Sequence, residues 1–353
     1  MNLRKFFVYV LCLMFLILCL CACESEKATE SDDTDIQQTE DVSDVDKEPE
    51  VVEPELEKQE ISSDFKEAYQ KKNDAYSEMN SFTTNVTAVV DVEYMGTKSS
   101  LNGESEAKIS VEDMITHIVA SASGEPYFGN VETELYAEMG EQPTVYRNVD
   151  GTWIKSSMSE SDSAEIMMFA GKADTESFDV MEFMLNTSVS EELYNERECY
   201  KLSYDIEVRL YDIIETLGYE KEFKKMLKEL DVPATAMLLI KPMLNDLGTV
   251  SVSEYVDVYT MYPVATEINA TDCLSAILDK VATYAPMAIE DYENSEVDFE
   301  QLVIENFTVT TLYSDINETE VVIPKEVLEA ETVESVDVST IGGADGPTAI
   351  IVG

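Results

Sequence analysis

The chain has 353 residues, with 73 Asp and Glu against 23 Lys and Arg and a formal net charge of −50. Such an excess of negative charge argues against DNA, RNA and bare anionic lipid as ligands, because each of these needs a cationic patch. A solvated acidic surface absorbs most of the charge, and attraction of cations or of a basic protein is its other use. With His117 as the only histidine, any His-based triad or metal site would rest on one residue.

The chain opens MNLRKFFVYVLCLMFLILCLCACESEKATESDD. Arg4 and Lys5 give a basic start, Phe6 to Leu20 is almost wholly apolar, and acid begins at Glu24 just after Ala22 and Cys23. This is the layout of an export signal over residues 1–22. The apolar run is shorter than the roughly 20 residues of a spanning helix, though an uncleaved anchor helix is the alternative. Leu20-Cys21-Ala22-Cys23 resembles a bacterial lipobox. The resemblance implies cleavage before Cys23 and a diacylglycerol on its thiol, an acyl anchor of the palmitate kind. Two acyl chains bind a membrane firmly, at about 0.8 kcal/mol per buried methylene. The expected location is therefore the outer face of a bacterial cytoplasmic membrane, anchored by lipid and not spanning it. Cleavage would remove Cys12, Cys19 and Cys21 and leave Cys199 and Cys273 in the body. Export permits a disulfide between them without requiring it, so a bridge and two separate thiols both stand.

Residues 23–61 follow as the lipidated cysteine and a tether. From Glu24 to Ile61 there are 16 Asp and Glu against 3 Lys, with Pro49 and Pro54 and no aromatic residue. Such a stretch cannot bury enough apolar surface to fold, and its charges repel. Asp41, Asp44 and Asp46 are close together but lack the turn glycine of a calcium loop, so no metal or cofactor is expected.

Residues 62–330 carry the folded body. Ser62 or Ser63 caps a helix through DFKEAYQKKNDAYSEM, with Phe65, Ala68, Tyr69, Tyr76 and Met79 near one face. The period then changes to two. Phe82, Val86, Ala88, Val90, Val92 and Tyr94 alternate, which predicts a strand with one buried face. Further strands are expected at about 98–111, 114–123 and 130–139. Asp150-Gly151 between two β-rich runs predicts a tight hairpin. A short helix is expected over 176–187 and a strand over 194–208. Two helical stretches separated by Pro233 come next, then a long strand region over 249–269. A helix over 272–284 and strands at 299–314 and 319–324 close the body. Helices are the available cover for half-buried strands, so the expected class is α+β, a curved antiparallel sheet covered by helices. Two smaller halves divided near 208–248 are the alternative.

This order is similar to that of LolA/LppX-type lipoproteins and their Gram-positive relatives. The resemblance rests on the lipobox and polar tether, the amphipathic helix, the antiparallel meander and the Asp-Gly hairpin bearing Tyr146 and Trp153. It rests also on the strand Cys199-Tyr200-Lys201-Leu202 and the closing VVIPKEV. It implies a half-open barrel closed by helices around an apolar cavity for acyl chains, with no catalytic residues to transfer. Met167, Met168, Phe169, Met181, Phe183 and Met184, with Met237, Leu238 and Met243, are the candidate lining residues, since methionine adapts to irregular apolar ligands. Ordinary core packing is the plainer use of any one of them.

No enzyme motif emerges. Ser63-Asp64-Phe65-Lys66 matches Ser-x-x-Lys without its two companion motifs, and a helix cap explains the serine. The tail, residues 331–353, contains Gly342-Gly343-Ala344-Asp345-Gly346-Pro347-Thr348-Ala349-Ile350. This segment resembles part of the β subunit of sodium-translocating decarboxylases, in which Asp345 would be the ionisable residue. The membrane helices of that protein are missing here, so a turn-rich tag read by a sorting system is the expectation. The expected function is a non-catalytic, lipid-anchored binding protein with an apolar ligand. The alternative is an envelope protein-interaction module with a filled core, recognised through its acidic face or its tail.

Overall fold

The computed structural model describes residues 61–124, 128–139, 143–158, 180–216, 241, 244–288 and 301–333. Helix α1 spans Ser63–Ser77. Its cap is Ser62, whose hydroxyl accepts the Phe65 N–H at 3.2 Å. Ser63 is the first helical residue, and its hydroxyl donates to Asp64. The helix buries Phe65, Tyr69, Lys72 and Ala75.

Six strands follow as an antiparallel meander: β1 Ser81–Tyr94, β2 Thr97–Ser110, β3 Ile115–Gly124, β4 Phe128–Glu138, β5 Thr144–Val149 and β6 Thr152–Ser157. The β5–β6 turn places Asp150 at φ 51° and Gly151 at φ 81°. Both lie in the left-handed region that a two-residue type I′ turn requires. The Gly151 N–H donates to Asn148 Oδ1 at 2.9 Å, which closes the turn.

The second half begins with a 3-10 turn, Val180–Phe183, and continues through β7 Met184–Tyr194, β8 Arg197–Glu207, α2 Leu210–Thr216, β9 Thr249–Asp257 and β10 Pro263–Asn269. Helix α3 Thr271–Ala288, β11 Leu302–Ser314, α4 Lys325–Leu328 and β12 Glu331–Thr332 complete it. The sheet order is β12-β6-β5-β4-β3-β2-β1-β11-β10-β9-β8-β7. Strand β11 lies beside β1 and so joins the two meanders. The strands on either side of residues 208–248 belong to one sheet.

The class differs from the α+β expectation. The described residues are mostly β: one 12-stranded sheet, mixed through the parallel β12–β6 pair and not closed, with few helices among them. Of the helix expected over 176–187, residues 176–179 lie outside the described residues, and the rest is the 3-10 turn Val180–Phe183 followed by β7. Backbone pairing of Ser188 to Tyr194 with β8 outweighs the helical spacing of Met181, Phe183 and Met184. The region 249–269 is a hairpin. Asp257 Oδ1 accepts the N–H groups of Tyr259 and Thr260, both at 2.9 Å, and turns the chain there. Residues 319–324 form no strand. Val321 and Ile323 instead bury their side chains against Tyr136 and Tyr146, and Pro324, which lacks an N–H, stands at the N-terminus of α4. Glu331 and Thr332, expected in the tail, pair with Ile154 and Lys155.

Alternation along the strands gives the sheet two faces. On one, Phe65 and Tyr69 of α1 pack on Tyr204 of β8 at ring distances of 5.9 and 6.0 Å. Cys273, Leu274, Ile277 and Leu278 of α3 join Val250, Val252, Ile268, Phe307 and Val309 in the same cluster. The other face carries two smaller clusters, one of Cys199, Tyr255, Val264 and Ala265, and one of Tyr136 and Tyr146 beneath Val321, Ile323 and Val327.

Candidate functional site

The helix-covered face is built differently in its two halves. Over β8–β11 it is filled by Leu202, Tyr204, Val252 and Phe307, all buried. Over β1–β4 it carries small side chains. Three cross-strand rows follow from the register: Thr84–Ala107–Ile118–Leu135, Val86–Ser105–Ala120–Thr133 and Ala88–Gly103–Ala122–Val131. Four strands at about 4.8 Å spacing, and rows two residues apart, make a floor of roughly 14 Å by 14 Å. Ala107, Ile118 and Ala120 form its own small cluster, with Leu135 packed against it. The second and third rows hold only Ser105, Thr133 and Gly103 beside alanine and valine.

A polar group bounds the filled half. Lys72 Nζ of α1 lies 2.8 Å from Glu254 Oε2 of β9. The Tyr204 hydroxyl donates to Glu254 Oε1 at 2.7 Å. The ammonium also stands 4.3 Å from the centre of the Tyr69 ring, a cation–π contact. Lys72 and Glu254 are 9 % and 8 % exposed, so the pair is buried in the assembly of α1 on the sheet.

Of the residues expected to line a cavity, Met184 is buried in the main cluster, and Met181 and Phe183 are half-buried against it. They pack the filled half rather than the floor. Met167, Met168, Phe169, Met237, Leu238 and Met243 lie outside the described residues, as do Leu20, Cys21, Ala22, Cys23 and the Asp345 segment. The floor residues were not expected from the sequence. Their signal is there in retrospect: Gly103, Ser105 and Ala107, and then Ala120 and Ala122, put small residues at successive second positions of two strands, where bulky apolar ones are usual.

Cys199 and Cys273 are free thiols, both buried. They belong to different clusters, so no disulfide links them. Burial, and then the charge of Asp257, push the Cys199 thiol up. Burial pushes Cys273 up to about 12. Cys273 should therefore resist thiol reagents at pH 8 in the folded chain and react only on unfolding. Because its folded value is raised above the ordinary thiol value near 8.5, the stability it contributes is full below that pH. It falls as pH rises from about 9 towards 12. Urea titrations at pH 8 and pH 10, with and without Cys273→Ala, measure this; a pH dependence identical in the two chains would exclude it.

His117 stands on the opposite face. Its Nε2 lies 3.0 Å from Glu134 Oε1, and its ring stacks on Tyr136 at 4.2 Å and 12°. Trp153 flanks Tyr136 at 5.6 Å. Burial first, and then the carboxylates of Glu134 and Glu326, raise the Tyr136 phenol. The histidine thus serves as one plate of an aromatic stack that the C-terminal segment covers. Among the described residues there is no group of three or more His, Cys, Asp or Glu able to hold a metal ion. No helix among them is long and apolar enough to cross a membrane.

No family model and no curated protein matches the chain. Among solved structures, the fold is similar to the lipoprotein LppX of Mycobacterium tuberculosis, at 9% identity and a TM-score of 0.37, over 74% of this chain and 100% of that one. It is similar to LprF from Mycobacterium bovis at 12% identity and a TM-score of 0.36, over 75% and 98% of the two chains. It is similar also to a LolA superfamily protein from Nitrosomonas europaea, at 9% identity and a TM-score of 0.20, over 73% and 94%. The likeness to LolA/LppX-type lipoproteins read from element order is present in the structure as a distant similarity of fold.

Proposed function

We propose that the chain is a lipid-anchored envelope protein that holds an acyl ligand on the small-residue floor of β1–β4 and releases it unchanged. The observation that carries this reading is the three rows of Thr84, Val86, Ala88, Gly103, Ser105, Ala107, Ala120 and Ala122 and their partners on one face of four adjacent strands. A broad apolar surface with few polar groups suits a flexible hydrocarbon, which needs area and not a fixed set of hydrogen bonds. The basic and apolar start, Cys23 and the acidic residues 24–61 support an outward-facing anchor and a spacer. Together they would keep the floor within reach of the membrane that supplies the ligand.

The burial of Ala107 and Ala120, at 2 % and 8 % exposed, supports the second reading, an interaction module whose floor is covered by its own chain. Gly103→Leu separates the two. A Cβ at Gly103 would meet Ala88 Cβ at 3.8 Å and the Ser121 carbonyl oxygen at 3.9 Å, both ordinary contacts. On an acyl-binding floor the added side chain takes the ligand's place, so co-purifying lipid should fall severalfold with stability little changed. On a floor filled by the chain itself, the substitution overpacks and costs about 1–3 kcal/mol, with no lipid to lose. Solvent extraction followed by mass spectrometry, beside a urea titration of the same samples, reads both quantities.

A further inference from the structure

Strand β7 stands last in the sheet order and is 11 residues long. Which of its backbone groups face outward follows from the β7–β8 turn. Asn195 and Glu196 have φ of 49° and 68°, the two left-handed residues of a type I′ turn, so the closing pair Tyr194–Arg197 is a hydrogen-bonded one. Hydrogen-bonded and non-hydrogen-bonded pairs alternate from there. Val189, Glu191 and Leu193 therefore turn their N–H and C=O groups away from β8. Glu198, the partner of Leu193, agrees with this phase, because its carbonyl accepts the Val258 N–H on the β9 side at 3.2 Å. Among the described residues no strand meets the outer side of β7. Ser190, Glu191, Glu192 and Leu193 are exposed, Leu193 at 71 %. A register shift between Leu185 and Ser188 ends the regular ladder below them. The open edge is thus Ser188–Tyr194, and its alternate N–H and C=O groups suit one kind of ligand, an added strand.

The chain carries such a strand itself. Residues 346–352 read Gly-Pro-Thr-Ala-Ile-Ile-Val, uncharged in a chain of net charge −50 and rich in β-branched side chains. A second copy suits the edge poorly, because it brings Glu191 and Glu192 towards their own like and adds a further excess of acid. The tail also leaves the sheet at a matching height. The register carries Ser190 across to Glu134 of β4, and the next residue, Leu135, leads through Arg147 and Ile154 to Glu331 of β12. Glu331 is then level with Glu191, and Val333 with Leu193. Every pairing between β6 and β7 is antiparallel and their number is even, so β12 and β7 run in the same direction. Residues 334–347 can span roughly 45–50 Å. A flat sheet would put the outer side of β7 roughly 58 Å away, and open sheets beyond about 10 strands curl, which shortens the crossing. We infer that Thr348–Val352 adds to β7 as an antiparallel strand and closes its open edge. Coming from the Val333 end, it pairs Thr348, Ile350 and Val352 with Leu193, Glu191 and Val189. Pro347 then falls opposite Tyr194, whose own N–H and C=O face β8, so its missing N–H forfeits no bond. Gly342-Gly343 and Asp345-Gly346 supply the turns that lead into the strand.

Hydrogen exchange, read residue by residue on the full chain and on a chain ending at Thr340, tests this. The amides of Val189, Glu191 and Leu193 should exchange about tenfold or more slowly in the full chain than in the shortened one. Those of Ser190 and Glu192, which face β8, should differ little. Ile350→Asp keeps the length of the tail and sets a carboxylate opposite Glu191, so it should behave like the shortened chain. Equal exchange of the three amides in the full and shortened chains overturns the inference: fast in both, the edge is open, and slow in both, another part of the chain covers it. Protection that survives Ile350→Asp overturns it too. A change spread equally over Ser190 and Glu192 would show that the tail steadies β7 without pairing to it, and overturns the strand. Protection that fades on dilution marks the tail of a neighbouring copy and overturns the assignment to the chain's own tail.

Discussion

Glu254→Leu should lower the stability of the chain by about 3–5 kcal/mol, and adding Lys72→Met should restore most of it. The single change leaves the Lys72 ammonium in a nearly dry site without the carboxylate that lies 2.8 Å away. It also removes the acceptor of the Tyr204 hydroxyl. The double change replaces an ion pair by two apolar side chains of similar size, which buried sites tolerate well because both desolvation costs disappear. A shortfall of about 1 kcal/mol should remain from the lost Tyr204 hydrogen bond, and Tyr204→Phe on the same background should recover it. Urea titrations of the four chains give the coupling directly. Additive effects of the two single changes would mean that the pair is solvated and that α1 is not fastened to β9 through it.

Phe65→Ala should cost about 3–5 kcal/mol, as large aromatic truncations in a closed core do. Phe65 is 0 % exposed. It stacks on Tyr69 at 5.5 Å and meets Tyr204 edge-on at 5.9 Å. These rings are the apolar contact of α1 with β8, so the loss should fall on the helix before the sheet. Hydrogen exchange should speed up along α1 around Tyr69, while the amides of the long β1–β11 and β1–β2 ladders stay protected. A uniform rise in exchange over helix and sheet would show that α1 and the sheet open as one unit. A loss under 1 kcal/mol would show that the helix is held elsewhere.

Much of the fold was legible in local pattern. The alternation from Phe82 to Tyr94 and the Asp150-Gly151 turn each determine their own geometry within a few residues, and both appear in the structure. The cap was legible to within one residue, because Ser62 and Ser63 are equally able to accept a helix N–H and only the backbone of the preceding segment chooses between them. Long-range features were not legible. Nothing in Leu302–Ser314 says that it pairs with β1 as well as with its sequence neighbour β10, and that pairing is what fuses two meanders into one open sheet. Met181, Phe183 and Met184 have helical spacing, yet the edge offered by β8 turns the following residues into a strand. The site was the least legible part. Large apolar residues draw attention when a ligand is apolar, whereas the proposed floor consists of Gly103, Ser105, Ala107, Ala120 and Ala122, which share one face only through the cross-strand register.

The most direct test of acyl binding is the mass of the full chain, measured natively and then denatured from the same preparation. The denatured mass reports any covalent anchor at Cys23, and the difference between the two masses reports what is held without a bond. We expect that difference to equal one acyl lipid per chain. A native mass equal to the denatured one, unchanged after incubation with acyl lipids, would contradict the carrier function and leave the interaction module as the reading of this fold.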